Sequence, residues 1–424
     1  MNTKGKNFIG FLLPLLLLFV SCTFPASTPT PTLTPTSTTS TDSAVVQKQE
    51  NIQAVAAAAS PTHAKTPIPS SLDPSSFPEN VNPLNGLPVE NPENLKNPPQ
   101  LVSITNFPPT ARPLAGLSYC PIVFEMWIGD GMTRFLGIFY GDFPQETAAM
   151  YPADQTQTTV QEASIGPIRS GRVPYEYVRK LFSGYLVMAS AAKAVSDQLS
   201  DYSNIYGTDL SDPNSAMMKV TDLEALAKSS QKELGEAALS GMYFDESIPE
   251  GGKSAHSLWL YYSYLNQIFW RYDEENGVFR RWQDNADATN FIEATDRLTG
   301  EPLGASNVII LFADHEVEEH GIIDISLLYI KRGKALLFRD GQKYEMYWTT
   351  ASEEYEKTTG KLRPIRFIDA EGNPYPLKPG QTWIEIVPYF TPYWETVDSE
   401  IYNRLVYGDS PGSGYWAVRV HAPK

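Results

Sequence analysis

Apolar and polar positions change period along the chain, and the changes mark its elements. Phe8 to Val20 is an unbroken apolar run of 13 residues behind Lys4 and Lys6. That is too short for the roughly 20 residues that span a bilayer and fits the core of a signal peptide. Short apolar stretches rich in β-branched and aromatic residues, 101–105, 122–127 and 134–140, predict strands. Residues 174–182 and 191–199 predict helices around a buried strand at 185–189, and Thr221 to Glu224 has the form of a capping box that opens a further helix. Past about residue 263 the helical period fades. Segments 308–312, 325–330, 335–338, 344–348, 365–367 and 383–387 predict strands, with Asp340-Gly341 as a hairpin turn.

These elements predict an α/β (or α+β) N-terminal sheet domain over 80–262, followed by a mostly antiparallel β domain over 263–390. An aromatic, Gly/Pro-rich C-terminal extension at 391–424 is expected to pack on the surface. Residues 1–21 read as the signal peptide. From Thr23 to Ser43, 17 of 21 residues are Thr, Ser or Pro, a composition that cannot bury apolar area. Residues 22–79 therefore read as an anchor cysteine followed by a disordered tether. Ser21-Cys22 closes the apolar core in the manner of a bacterial lipobox, which makes Cys22 the expected site of lipidation, with diacylglycerol and palmitate, and places the protein on the extracytoplasmic face of the cell membrane.

Composition narrows the function. The 424 residues carry a formal net charge of −16 with pI ≈ 4.8, which argues against a general nucleic-acid partner. Two cysteines, Cys22 and Cys120, exclude a disulfide scaffold and a multi-cysteine zinc site, and Cys120 before an apolar strand reads as a small core residue. No metal and no cofactor is implied. His315 to His320 imitates a zinc motif, but its histidines are five apart rather than four, so the segment reads as a solvated loop.

The chemistry that stands out is a set of arginines at turns: Arg112, Arg134, Arg169 and Arg172, the last two flanking Ser170 in the turn 165–174. Arginine forks grip phosphate and carboxylate, and strand–helix loops of sheets collect ligands. One reading is that the four, with Ser170, converge in a cleft for an anionic ligand. The other is that they pair with acids such as Glu125 and Asp130 as structural salt bridges. His256, near the expected domain junction, is either a ligand-orienting group or a partly buried structural histidine.

The stretches Asn82–Pro88, Ala111–Leu117, Ile122–Glu125, Thr133–Leu136, Ile165–Arg172, His256–Trp259, Gly333–Gly341 and Pro379–Ile384 resemble, in order, the YerB-like lipoproteins, a bacterial family without an assigned function. Members have Asn-His-Pro where this chain has Asn106-Phe-Pro108, and Ser-Ala-Arg where it has Ser170-Gly-Arg172. A weaker likeness, confined to 134–139 and 165–172, is to the LytR-CpsA-Psr wall-polymer phosphotransferases, whose arginines hold a polyprenyl pyrophosphate. The resemblance implies a membrane-tethered lipoprotein whose arginines bind an anionic wall polymer or lipid phosphate. The alternatives are a metal-assisted phosphotransferase on lipid-linked wall glycans and a protein-interaction scaffold.

Overall fold

A computed structural model describes residues 71–72, 77–145, 162–209, 211–235, 239–288, 290–396 and 414–423. The signal peptide, Cys22 and most of the tether lie outside the described residues.

The apolar runs of the first half form strands β1 (Gln100–Ile104), β2 (Ile122–Gly129) and β3 (Met132–Phe139), with Gly129-Asp-Gly131 turning β2 into β3. Helix α1 (Val173–Leu181) leads to β4 (Tyr185–Met188) and β5 (Tyr202–Asn204), and α2 spans Val220–Leu234. The helix expected over 191–199 shrinks to the single turn Lys193–Ser196. The capping box also fails: Thr221 lies inside α2, and Lys219 occupies the N-cap without a side-chain capping bond to the helix. The reason is local. Met218–Lys219 pairs as a strand with Ser164–Ile165 and runs straight into the helix, so tertiary pairing sets the entry.

The second half supplies β6 (Ser257–Ser263), β7 (Asn266–Asp273), β8 (Val278–Asp284), β9 (Phe291–Glu293), β10 (Asn307–Ala313), β11 (Gly333–Arg339), β12 (Gln342–Thr349) and β13 (Thr382–Pro388). The tail adds β14 (Tyr393–Glu395) and β15 (Tyr415–Arg419). Asp340 and Gly341 both take positive φ, +52° and +66°, and join β11 to β12 as the two-residue turn their sequence predicts.

The molecule is mostly β, with few helices. An 11-stranded sheet runs in the order β12–β11–β10–β13–β2–β3–β1–β4–β5, with short strands Lys253–Ser254 and Arg366–Ile368 on β12. Strands from both sides of residue 262 therefore share one sheet, and its centre is parallel: β10 pairs with β13, and β13 with β2. The expectation of a mostly antiparallel second half does not hold there. Strands β10 and β13 are buried along their whole length, as central parallel strands are, which is why they read as mostly apolar runs. The second sheet has seven strands, in the order β9–β8–β7–β6–β15–β14, with Gly304–Ala305 on β8. Its β15 lies parallel to β6 and buries Trp416, Ala417 and Val418. The tail is thus part of a sheet rather than a surface extension. At the other end Ser71–Leu72, placed in the tether by composition, pairs with Tyr243–Asp245.

Side chains alternate across β3, and this places the chemistry. Thr133 and Phe135 turn toward the second sheet, where Phe135 stacks edge-on against Trp383. Arg134 turns to the opposite face, toward Ser170 and the start of α1. Two polar sites therefore occupy opposite faces of one sheet.

Candidate anion site and buried seam network

On the α1 face, the segment 168–172 crosses the C-terminal ends of the parallel strands β1 and β4. The Arg169 amide donates to the Ser103 carbonyl at 2.9 Å, while Ala189 and Ser190 of the β4 end bond to Arg169 and Gly171. Gly171 packs against the ends of the Met188 and Leu199 side chains, which would have to shift to admit a Cβ. Arg172 is the N-cap of α1, so Arg169, Ser170 and Arg172 stand where strand ends and a helix N-terminus meet, a position that favours anions.

Beneath them lies Arg134, 8% exposed, whose Nη1 donates to the Ser170 carbonyl at 2.8 Å and whose Nε has no acceptor among the described residues. Burial pulls its guanidinium down to about 10. The Tyr175 phenol opposes that, and the nearby charges of Arg172 and Arg169 add to it. Arg169 and Arg172 are half-buried and open to solvent. Arg169 donates to the Asn214 carbonyl oxygen at 2.8 Å, and burial also lowers its guanidinium. Among the described residues, no carboxylate forms an ion pair with Arg134, Arg169 or Arg172. The salt-bridge reading therefore does not describe these three, and a buried guanidinium without a counter-charge is costly unless an anion is supplied.

Arg112 does not join them. Its guanidinium reaches the Asn106 carbonyl at 2.9 Å and the Asp284 carbonyl at 2.8 Å and lies over the Phe107 ring. Burial, then the charge of Arg281, bring it down to about 10. The four-arginine cleft is thus split, three on one face and Arg112 at the seam between the sheets. His256 is exposed rather than partly buried. It approaches the Ser254 hydroxyl at 3.2 Å at the start of β6, away from both arginine sites. Cys120 is a free, buried core thiol, pushed well up by burial. The segment read as a solvated loop instead holds a hairpin, His315–Val317 against Ile323–Ile325, with His315 buried.

Sequence reasoning missed the seam network altogether. Glu125 and Glu385 sit opposite each other on β2 and β13, both fully buried. Arg281, from β8, crosses from the second sheet and donates to Glu125 at 2.9 Å. Its guanidinium is caged by Phe135 and Trp383, with ring centroids at 5.2 and 5.1 Å, and by Trp270 at 5.9 Å. Thr133 and the Trp383 indole also donate to Glu125, and Tyr262 and the Trp270 indole donate to Glu385. Burial, and then the charge of Glu125, push the Glu385 carboxyl well above the usual carboxylate range. Of the two glutamates, Glu385 is the one whose surroundings favour the protonated form, while Arg281 pairs with Glu125. The signal was present: one glutamate interrupts each of two apolar runs, Ile122–Gly129 and Thr382–Pro388. Among the described residues, no three His, Cys, Asp or Glu side chains gather as a metal site. No helix among them is long and apolar enough to cross a membrane.

Residues 84–234 match the family described as protein of unknown function (DUF3048), N-terminal domain, and residues 259–384 match its C-terminal domain. The chain is 26% identical over 322 residues to "Putative lipoprotein YerB" of Bacillus subtilis (strain 168), covering 72% of this chain and 86% of that protein. The crystal structure of YerB from Bacillus subtilis is similar with a TM-score of 0.55 and 25% identity, over 73% of this chain and 96% of that one.

Proposed function

The chain belongs to the DUF3048 family, and from that premise we propose that it is a lipid-anchored extracytoplasmic protein that binds an anionic component of the cell envelope. The similarity to a lipoprotein, the short apolar leader and Cys22 support the anchor. Cys22→Ala should abolish labelling by a fatty-acid analogue, and equal labelling of both proteins would end that part of the reading.

One observation carries the binding part. Arg134, Arg169 and Arg172 gather at the strand ends around Ser170 with no carboxylate paired to them among the described residues. A phosphate or carboxylate docking there would accept from the half-buried Arg169 and Arg172, with the buried Arg134 charge behind them. Each charge-assisted hydrogen bond contributes on the order of 1.5–3 kcal/mol, so loss of one arginine weakens binding roughly tenfold or more. The test is co-sedimentation of the full chain with wall-polymer fractions and with vesicles containing a lipid phosphate, comparing wild type with Arg169→Ala and Arg172→Ala. Retention by wild type and loss in both variants, at unchanged melting temperature, supports the reading. Equal retention of all three proteins contradicts it.

A further inference from the structure

The seam between the two sheets contains a cavity of about 220 Å³, on the opposite face of the main sheet from the three arginines. Its walls are apolar on several sides, from Leu114, Leu117, Phe135 and Leu303, with Arg112, Arg281 and one carboxylate, Glu293, supplying the charged part. Ile292, 53% exposed, stands among the lining residues and marks where the cavity meets solvent. The volume is below that of a drug-sized site and comparable with cavities that accept a single aromatic ring.

The polar part of the wall is incompletely satisfied. Arg281 is 1% exposed, and its Nε–H has no acceptor among the described residues. Arg112 spends its bonds on the carbonyls of Asn106 and Asp284 and on the Asn106 side chain, and no carboxylate lies within ion-pair distance of it among the described residues. Buried donors left open on a cavity wall cost about 1–3 kcal/mol each, more when charged. The wall therefore combines a ring-sized apolar space with one open guanidinium donor, Arg281 Nε, and a second guanidinium, Arg112, that is bonded only to neutral acceptors.

We propose that this cavity is a ligand site for a compact amphipathic anion: a ring-sized apolar group carrying one carboxylate or phosphate. The head lies against Arg112, and the body fills the space between Leu114, Leu117 and Leu303. The site is independent of the three-arginine cluster, so either can fail alone.

The test titrates the full chain with phenylacetate, phenyl phosphate, benzyl alcohol and inorganic phosphate, read by calorimetry and melting temperature. Phenylacetate and phenyl phosphate separate the two head groups; the alcohol keeps the ring without the charge, and inorganic phosphate keeps the charge without the ring. The expected result is that at least one aryl anion binds at least tenfold more tightly than benzyl alcohol and than inorganic phosphate. Arg112→Gln removes that preference. Ile292→Trp, at an exposed position, blocks entry without touching the core, and Lys193→Gln, at an exposed cation outside both arginine sites, leaves aryl-anion binding unchanged. Binding of neither aryl anion, or binding unaffected by both Arg112→Gln and Ile292→Trp, overturns the proposal. So does loss of binding with Arg169→Ala, which would assign the anion to the other face.

Discussion

Glu385 lies directly opposite Glu125 on adjacent parallel strands, and both carboxyls are fully buried under one guanidinium, Arg281. Two like charges held so close in a dry site cannot both ionise at ordinary cost. The neighbours divide the roles: Arg281 pairs with Glu125, while the Tyr262 hydroxyl and Trp270 indole hold Glu385.

The two glutamates should therefore respond differently to amide replacement. Glu385→Gln puts a neutral group of the same shape where the fold favours the protonated acid, and should destabilise by no more than about 1 kcal/mol at any pH. Glu125→Gln leaves Arg281 buried without its partner and should cost about 3–5 kcal/mol. Urea unfolding of the two variants at neutral pH measures the difference. Equal losses would mean that Glu385 is ionised in the fold.

The same asymmetry sets a pH dependence. The carboxyl of Glu385 holds its proton more tightly folded than unfolded, where it titrates near about 4.3. Its stabilising contribution is complete below that value and declines as pH rises toward the folded value, because the unfolded chain then binds fewer protons. Wild type should lose stability relative to Glu385→Gln as pH is raised from 4 toward neutrality. Parallel stability curves for the two proteins would contradict this.

His315 acts in the opposite sense. Burial brings its imidazole down to about 4, with Nδ1 3.1 Å from the Ala313 carbonyl and Nε2 unpartnered. As pH falls below about 6.5 the unfolded chain takes up a proton that the fold refuses, so stability declines until about pH 4. The loss attributable to this residue is about 3 kcal/mol. His315→Leu should flatten the acid limb of the stability curve over that window, measured by denaturant unfolding at successive pH values. An unchanged limb would show that the histidine protonates freely in the fold.

The strands of the main sheet were legible because each satisfies its local pattern. The run at 308–313 is apolar throughout, Asp340-Gly341 favours a tight turn, and 173–181 carries Pro174 where a helix begins. The parallel pairing of β10, β13 and β2 was not legible, since it joins residues 75 positions apart in one pair and 260 in the other, and no local pattern encodes which edge a strand will meet. Arginines at turns drew attention to Arg134, Arg169 and Arg172, which the structure places near one another. They misplaced Arg112, because only the alternation of β3, seen against a second sheet, separates the faces. His315 was misread because spacing alone does not report burial.

The account rests most on the unpaired arginines at the strand ends. The most direct test is calorimetric titration of the full chain with inorganic pyrophosphate, repeated for the Arg169→Ala/Arg172→Ala double variant and at raised salt. The account expects saturable binding by wild type that weakens with salt, and at least a hundredfold loss in the double variant with its melting temperature kept. Undiminished binding in the double variant, or a collapse of its melting temperature with no binding by wild type, would show that these arginines serve the fold and not a ligand.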